Sequence, residues 1–224
     1  MKRVLVKAAF ICAMLATGSV AAGKVPPTWD GLVQVKSKQL DLVYLQPGAD
    51  FRGYTKVLVE PTEVAFAKNW QRDYNRSTRS LSSRISDSDI QLAITDGVKA
   101  ASDIFTEAWT KGGFQVVTQP GPDVLRVKTG VVNISVNAPD TMSPGRSYSF
   151  SPEAGRATLF VEARDSLTGA LLGRAVDQRI IGEHNAAWRT SVSNRGDFRD
   201  QVQQWAKISV RGMTELKALS PIKP

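Results

Sequence analysis

Two residue types that carry much of protein chemistry are almost missing from this chain of 224 residues. It has one cysteine, Cys12, and one histidine, His184. A single thiol forms no internal disulfide, and zinc sites recruit several Cys and His side chains together. Any Ser-His-Asp arrangement has His184 as its sole base, and its neighbours Glu183, Asn185, Ala186 and Ala187 do not repeat a ligand spacing. The chain carries no G-x-S-x-G elbow, P-loop, dinucleotide fingerprint or calcium loop. Its apolar runs are shorter than the ~20 residues that span a bilayer. These absences remove thiol and nucleotide chemistry from the expected repertoire, and neither a metal nor a cofactor is expected.

The first residues read as a secretory signal. Lys2, Arg3 and Lys7 precede the apolar stretch Ala8 to Ala16, and Ser19-Val20-Ala21-Ala22 offers small residues for cleavage after Ala22. Lipoprotein signals place a small residue directly before the modified cysteine, and Ile11 before Cys12 is not small, so a lipid anchor is disfavoured. Cleavage would leave a mature chain without cysteine or transmembrane span. Removing the three cations of the signal lowers the net charge from +8 to +5. That is basic enough to attract anionic lipids, lipopolysaccharide or peptidoglycan. Nucleic acid is not an expected partner of an exported chain without an RNA- or DNA-binding signature. The product is expected in the periplasm or secreted. We expect a signal over 1–22, a leader over 23–28, one domain over 29–219 and a tail over 220–224.

Periodicity predicts the elements of that domain. Leu40 to Leu45 is a short apolar run ended by Pro47-Gly48. Tyr54 to Glu60 and Thr62 to Ala67 read as strands split by Pro61, which cannot donate to a ladder. Asn69 to Ser83, polar and arginine-rich, reads as a surface loop with at most a little helix. Ser88 to Lys111 reads as a helix, with Ser88 and Gln91 as its capping box, a stripe of Ile90, Ile94, Val98, Ala101, Phe105 and Ala108, and Gly112-Gly113 as its stop. Phe114 to Thr118 and Val124 to Val136 are expected strands, the second bulged at Gly130. Ala138 to Glu153 reads as a loop with Met142, Tyr148 and Phe150 exposed or lightly packed. Arg156 to Arg164 alternates, with Ala157, Leu159, Val161 and Ala163 facing the core, and Ala170 to Ile181 follows as its partner strand. Between them, Asp165-Ser166-Leu167-Thr168-Gly169 places an Asp beside a Ser, as a hydrolase fragment would. Its length and terminal glycine suit a hairpin turn instead. Phe198 to Leu219 reads as a second helix, capped by Asp197 and striped by Phe198, Val202, Trp205, Ser209, Met213 and Leu216. The expected fold class is α+β: a mostly antiparallel sheet with two amphipathic helices packed on one face.

Several segments stand in an order that resembles a known family. Trp29 to Leu32 (WDGL) is followed by Tyr44 to Asp50 (YLQPGAD), then Tyr54 and Val57 to Pro61 (VLVEP). After the helix come Pro120 to Leu125 (PGPDVL) and Asp165 to Gly169 (DSLTG). The chain resembles the bacterial family DUF3313 over nearly all of its mature length. The resemblance implies an exported protein of Gram-negative bacteria, many of whose relatives look like lipoproteins. It implies no catalytic or ligand residue.

Chemistry must therefore be sought in surfaces. Trp70, Arg72, Tyr74, Arg76, Arg79 and Arg84 combine planar groups with cations among hydroxyls. Such a surface suits phosphate or carboxylate groups of an envelope polymer or lipid. His184, Trp188 and Arg189 form a second candidate patch. Carboxylates at Asp41, Asp50, Glu60, Glu63, Asp123, Glu162, Asp165 and Asp177 could supply an acid–base pair, which is defined by distance and not by spacing. The expected function is a non-enzymatic binding or assembly module of the cell envelope, with an anionic polymer or an envelope protein as partner. The alternative is a hydrolase of an envelope glycan or ester, using carboxylates or His184.

Overall fold

The computed structural model describes residues 25–78, 81–137, 148–151, 153–182 and 187–223. The expected signal, Arg79, Met142 and His184 lie outside the described residues. Strands β1 (Thr28–Trp29) and β2 (Leu32–Val35) are joined by Asp30 and Gly31, both at positive φ, as a two-residue primed hairpin turn requires. Strand β3 (Leu42–Leu45) pairs antiparallel with β2. Pro61 separates β4 (Lys56–Val59) from β5 (Glu63–Phe66). Next come α1 (Trp70–Ser77), α2 (Asp87–Lys111), β6 (Gln115–Val116) and β7 (Val124–Val136). The chain continues through β8 (Tyr148–Ser151), β9 (Gly155–Asp165), β10 (Leu171–Ile181) and β11 (Ala187–Thr190) to α3 (Ser191–Leu219).

Nine strands form one mixed sheet in the order β1-β2-β3-β10-β9-β7-β4-β6, with β5 also paired to β7; β8 and β11 form a separate ribbon. The meander β7, β9, β10 is antiparallel, whereas β4 and β5 run parallel to β7. The expected α+β class therefore holds, with three α-helices among the described residues rather than two. The long helices share one face: α2 lies over β4 to β6, and α3 over β9 and β10. They touch near their C-terminal ends, where a Cβ on Gly112 would stand 2.2 Å from Val210.

Four details correct the sequence reading. The basic stretch expected as a loop is mostly helix α1. Asn75 pins it by accepting from the Ile85 backbone N–H and donating to the Ile85 carbonyl, both at 2.8 Å. The cap of α2 lies two residues earlier than expected. Ser86 Oγ accepts from Asp89 N, and Asp89 Oδ2 accepts from Ser86 N, so an aspartate does the work expected of Gln91. Helix α3 starts at Ser191, a full two turns before Phe198. Thr190, the last residue of β11, closes a capping box with Ser193, and Asp197 lies inside the helix. The bulge of β7 falls at Asn133, at φ 53, between Val132 and Ser135, and not at Gly130. In addition, part of the expected loop at 138–153 is strand β8.

The stretch Asp165 to Gly169 is a turn. Asp165 Oδ1 accepts from Leu167 N, Thr168 N and Thr168 Oγ1, Gly169 N donates to the Asp165 carbonyl, and Gly169 takes φ 70. The helix-side core holds Phe105, Leu159, Ile181 and Trp205 at one end, and Phe51, Leu125, Val127 and Met213 at the other. A fully buried carboxylate, Asp177, joins the layers. It accepts from Trp205 Nε1 at 2.8 Å, Arg179 Nε at 2.8 Å and Asp41 N at 3.0 Å, which offsets the cost of burying its charge.

Candidate functional site

Two long helices do not cover the helix-side face of so wide a sheet. Strands β2 and β3 extend past α3, and a cleft of about 750 Å³ opens between α3, the sheet and residues 36–40. That volume lies within the ~300–1,000 Å³ of small-molecule sites. The floor is kept open by small side chains. Ala163 pairs with Gly173 across β9 and β10, and Ala175 follows two residues on, where β-branched residues would fill the space. Val43, Leu45, Val127 and Val161 complete an apolar floor. The wall is the C-terminal half of α3, with Ile208, Met213 and Leu216. Gly212 also lines it, and an added Cβ there meets nothing within 4 Å.

Trp109, from the last turn of α2, lines the cleft and packs edge-on against Phe114 at 5.1 Å. Trp109 is 2% exposed, and its Nε1–H has no hydrogen-bond partner among the described residues. Lys36, Lys38 and Lys223 are exposed at the mouth with Glu215 as the acidic side chain, while Arg174 of β10, also in the lining, is tied to Glu162 and Asp30. The sequence reading missed Trp109, which stands beside the Ile90-to-Ala108 stripe. It also missed the floor. The available signal was the trio of small residues Ala163, Gly173 and Ala175 at alternate positions of two paired strands.

The expected basic surface is divided. Trp70 is a packing residue that stacks on Phe66 at 4.7 Å and tilts against Tyr74 at 5.9 Å. It borders a second apolar cavity of about 540 Å³, between the N-terminal halves of α2 and α3. Arg72 pairs with the adjacent Asp73 at 3.0 Å, and Arg76 and Arg84 are exposed. The structure thus brings Trp70 and Tyr74 together and sets Arg72 and Arg76 on the same short helix. In the second patch, Trp188 and Arg189 belong to β11, paired with Phe150 and Ser149 of β8.

Each of the eight carboxylates weighed for acid–base chemistry is engaged. Asp41 accepts from Gln178 N, and Asp177 from Trp205, as above. Glu60 pairs with Arg126, Glu63 with Lys128, and Asp123 with Lys56 and Thr55. The hydrogen bonds from Arg52 hold Asp50 down to about 2. Burial raises the Glu162 pKa, but hydrogen bonds from Arg164 and Arg174 outweigh it and leave the group below the ordinary range. Arg174 also pairs with Asp30 and lies over the Trp29 ring. Asp165 is lowered by the backbone and hydroxyl of Thr168. Burial and the bond to Asp165 push the Tyr54 phenol to about 12. Among the described residues, no group of His, Cys, Asp and Glu stands close enough to hold a metal ion, and no helix is long and apolar enough to cross a membrane.

A family model described as "Protein of unknown function (DUF3313)" matches residues 24–208. A search of curated proteins finds no match. Among solved structures, the chain is similar to a PelC dodecamer protein from Paraburkholderia phytofirmans, at 13% identity and TM-score 0.34, covering 72% of this chain and 94% of that one. It is similar to a Xanthomonas campestris protein of the family DUF330, at 10% identity and TM-score 0.40, covering 77% and 88%. A hemagglutinin homolog from Helicobacter pylori is similar at 12% identity and TM-score 0.38, covering 83% and 97%. At such identities and scores no function transfers from them.

Proposed function

The chain belongs to the DUF3313 family, and we propose that it acts as a non-enzymatic binding module of the cell envelope. The envelope location rests on the export signal read in residues 1–22. The observation that supports binding is the cleft beside α3. Its lining is mainly apolar, its lysines are exposed at the mouth, and the carboxylates that could do acid–base work are occupied elsewhere in ion pairs, turns and the core. Such a site can remove an apolar group from water; it offers no base beside a nucleophile. The arginines of α1 are proposed as an auxiliary contact for anionic polymer or lipid head groups.

The test combines binding with turnover. Purified protein is titrated with a fluorescent apolar probe and incubated with peptidoglycan, lipopolysaccharide and generic esters. Saturable binding at one site, lost when Ser209→Leu narrows the cleft, is the expected result. Turnover abolished by replacing one carboxylate or His184 would instead establish the hydrolase reading.

A further inference from the structure

We infer that the cleft takes a single-chain anionic amphiphile, a long-chain fatty carboxylate, with its tail on the sheet and its head group at the lysines of the mouth. This deepens the binding reading above and rests on it. The shape of the cleft suits a narrow chain. Along α3 the cleft reaches from Ile208 to Leu219, which at 1.5 Å per residue is roughly 16 Å. An extended peptide would fit by width, but it would carry backbone N–H and C=O groups into apolar walls. The Ser209 hydroxyl, half-buried in that wall, is already turned back to the Trp205 carbonyl at 2.9 Å. A hydrocarbon chain carries no such groups.

The charge at the mouth suits an anionic head group. Lys36 and Lys38 lie on the loop between β2 and β3, and Lys223 follows α3, so two separate parts of the chain place cations at one opening. None of the three forms an ion pair among the described residues, and Glu215 is the single acid opposite them. Their aliphatic stems can lie along apolar surface while the ammonium groups stay in water. Leu219, 68% exposed, adds an apolar side chain at the same rim. An apolar interior with a cationic mouth complements a tail with an anionic end, and opposes one with a cationic end.

The test uses three ligands with the same sixteen-carbon tail: palmitate, hexadecanol and hexadecyltrimethylammonium. Each displaces a fluorescent fatty-acid probe from the purified protein below its aggregation concentration. Palmitate is expected to bind one-to-one and about tenfold more tightly than hexadecanol, the scale set by a few partly exposed charge contacts. In the combined variant Lys36→Gln, Lys38→Gln, Lys223→Gln, that preference should shrink to about threefold or less. Gly212→Leu should abolish binding of all three, with Ser209→Leu as the second plug if the first does not fold. Equal affinity for palmitate and hexadecanol would overturn the anionic class and leave the cleft reading standing. No binding of any ligand would overturn both. Binding to phosphatidylglycerol vesicles without binding of monomeric palmitate would also overturn the inference, since the cations would then serve a membrane surface.

Discussion

The indole N–H of Trp205 donates to the buried carboxylate of Asp177 at 2.8 Å, and this bond ties α3 to the centre of the sheet. Asp177→Ala strands that donor in the core and frees the Asp41 backbone N–H as well. We expect a loss of at least ~2 kcal/mol in urea unfolding, since a buried unsatisfied group bears its full desolvation cost. A change below ~0.5 kcal/mol would mean that packing alone holds the helix.

Acid should weaken the fold through Glu162. Its folded-state pKa lies below the unfolded value of ~4.3, so the carboxylate stabilises the fold above that pH. The contribution is lost as pH falls below the unfolded value and through the lower folded-state pKa. Glu162→Gln should lower stability at neutral pH by about 1.5–3 kcal/mol and flatten the acid limb of the unfolding curve. Parallel pH profiles for both proteins would assign acid sensitivity to other carboxylates.

The Asp-Ser stretch should behave as a hairpin turn. Gly169 sits at φ 70, where a β-branched side chain is strained. Gly169→Val should cost ~1–3 kcal/mol by chemical denaturation, while cleft binding measured below the transition is retained. Binding lost with full stability would make the turn part of a site.

The α1 arginines should act at the surface. Arg72 and Arg76 lie on a short exposed helix, and Arg79 is outside the described residues. Replacing all three with Gln should change stability by within ~0.5 kcal/mol each, weaken binding to lipopolysaccharide or anionic vesicles, and flatten its salt dependence. Unchanged binding with the same salt slope would reduce α1 to a connecting helix.

Much of this fold is legible in the sequence, because alternation and helical periodicity are local signals. Val124–Val136 matches β7 end to end, and Gly112-Gly113 follows α2 as expected. The cap sites were harder. Ser86 with Asp89 and Thr190 with Ser193 use shorter side chains than the usual Glu or Gln partner, so the box pattern pointed to Ser88 and Gln91 instead. The cleft was not legible. It depends on how far α3 sits from the sheet edge, and Ala163, Gly173 and Ala175 meet only through β9–β10 pairing and strand spacing. The eight carboxylates were legible as residues, but their partners lie up to 137 positions away, as for Asp41 and Gln178.

Quenching of Trp109 fluorescence by palmitate brominated along its tail tests the central claim most directly. Trp109 lines the α3 cleft, whereas Trp70 borders the other cavity, so the two sites separate by comparing Trp109→Phe and Trp70→Phe proteins. The account predicts saturable one-to-one quenching that survives Trp70→Phe, falls sharply in Trp109→Phe, and disappears in Gly212→Leu. Quenching that persists in Trp109→Phe and vanishes in Trp70→Phe, or no quenching while the lipid stays monomeric, would contradict it.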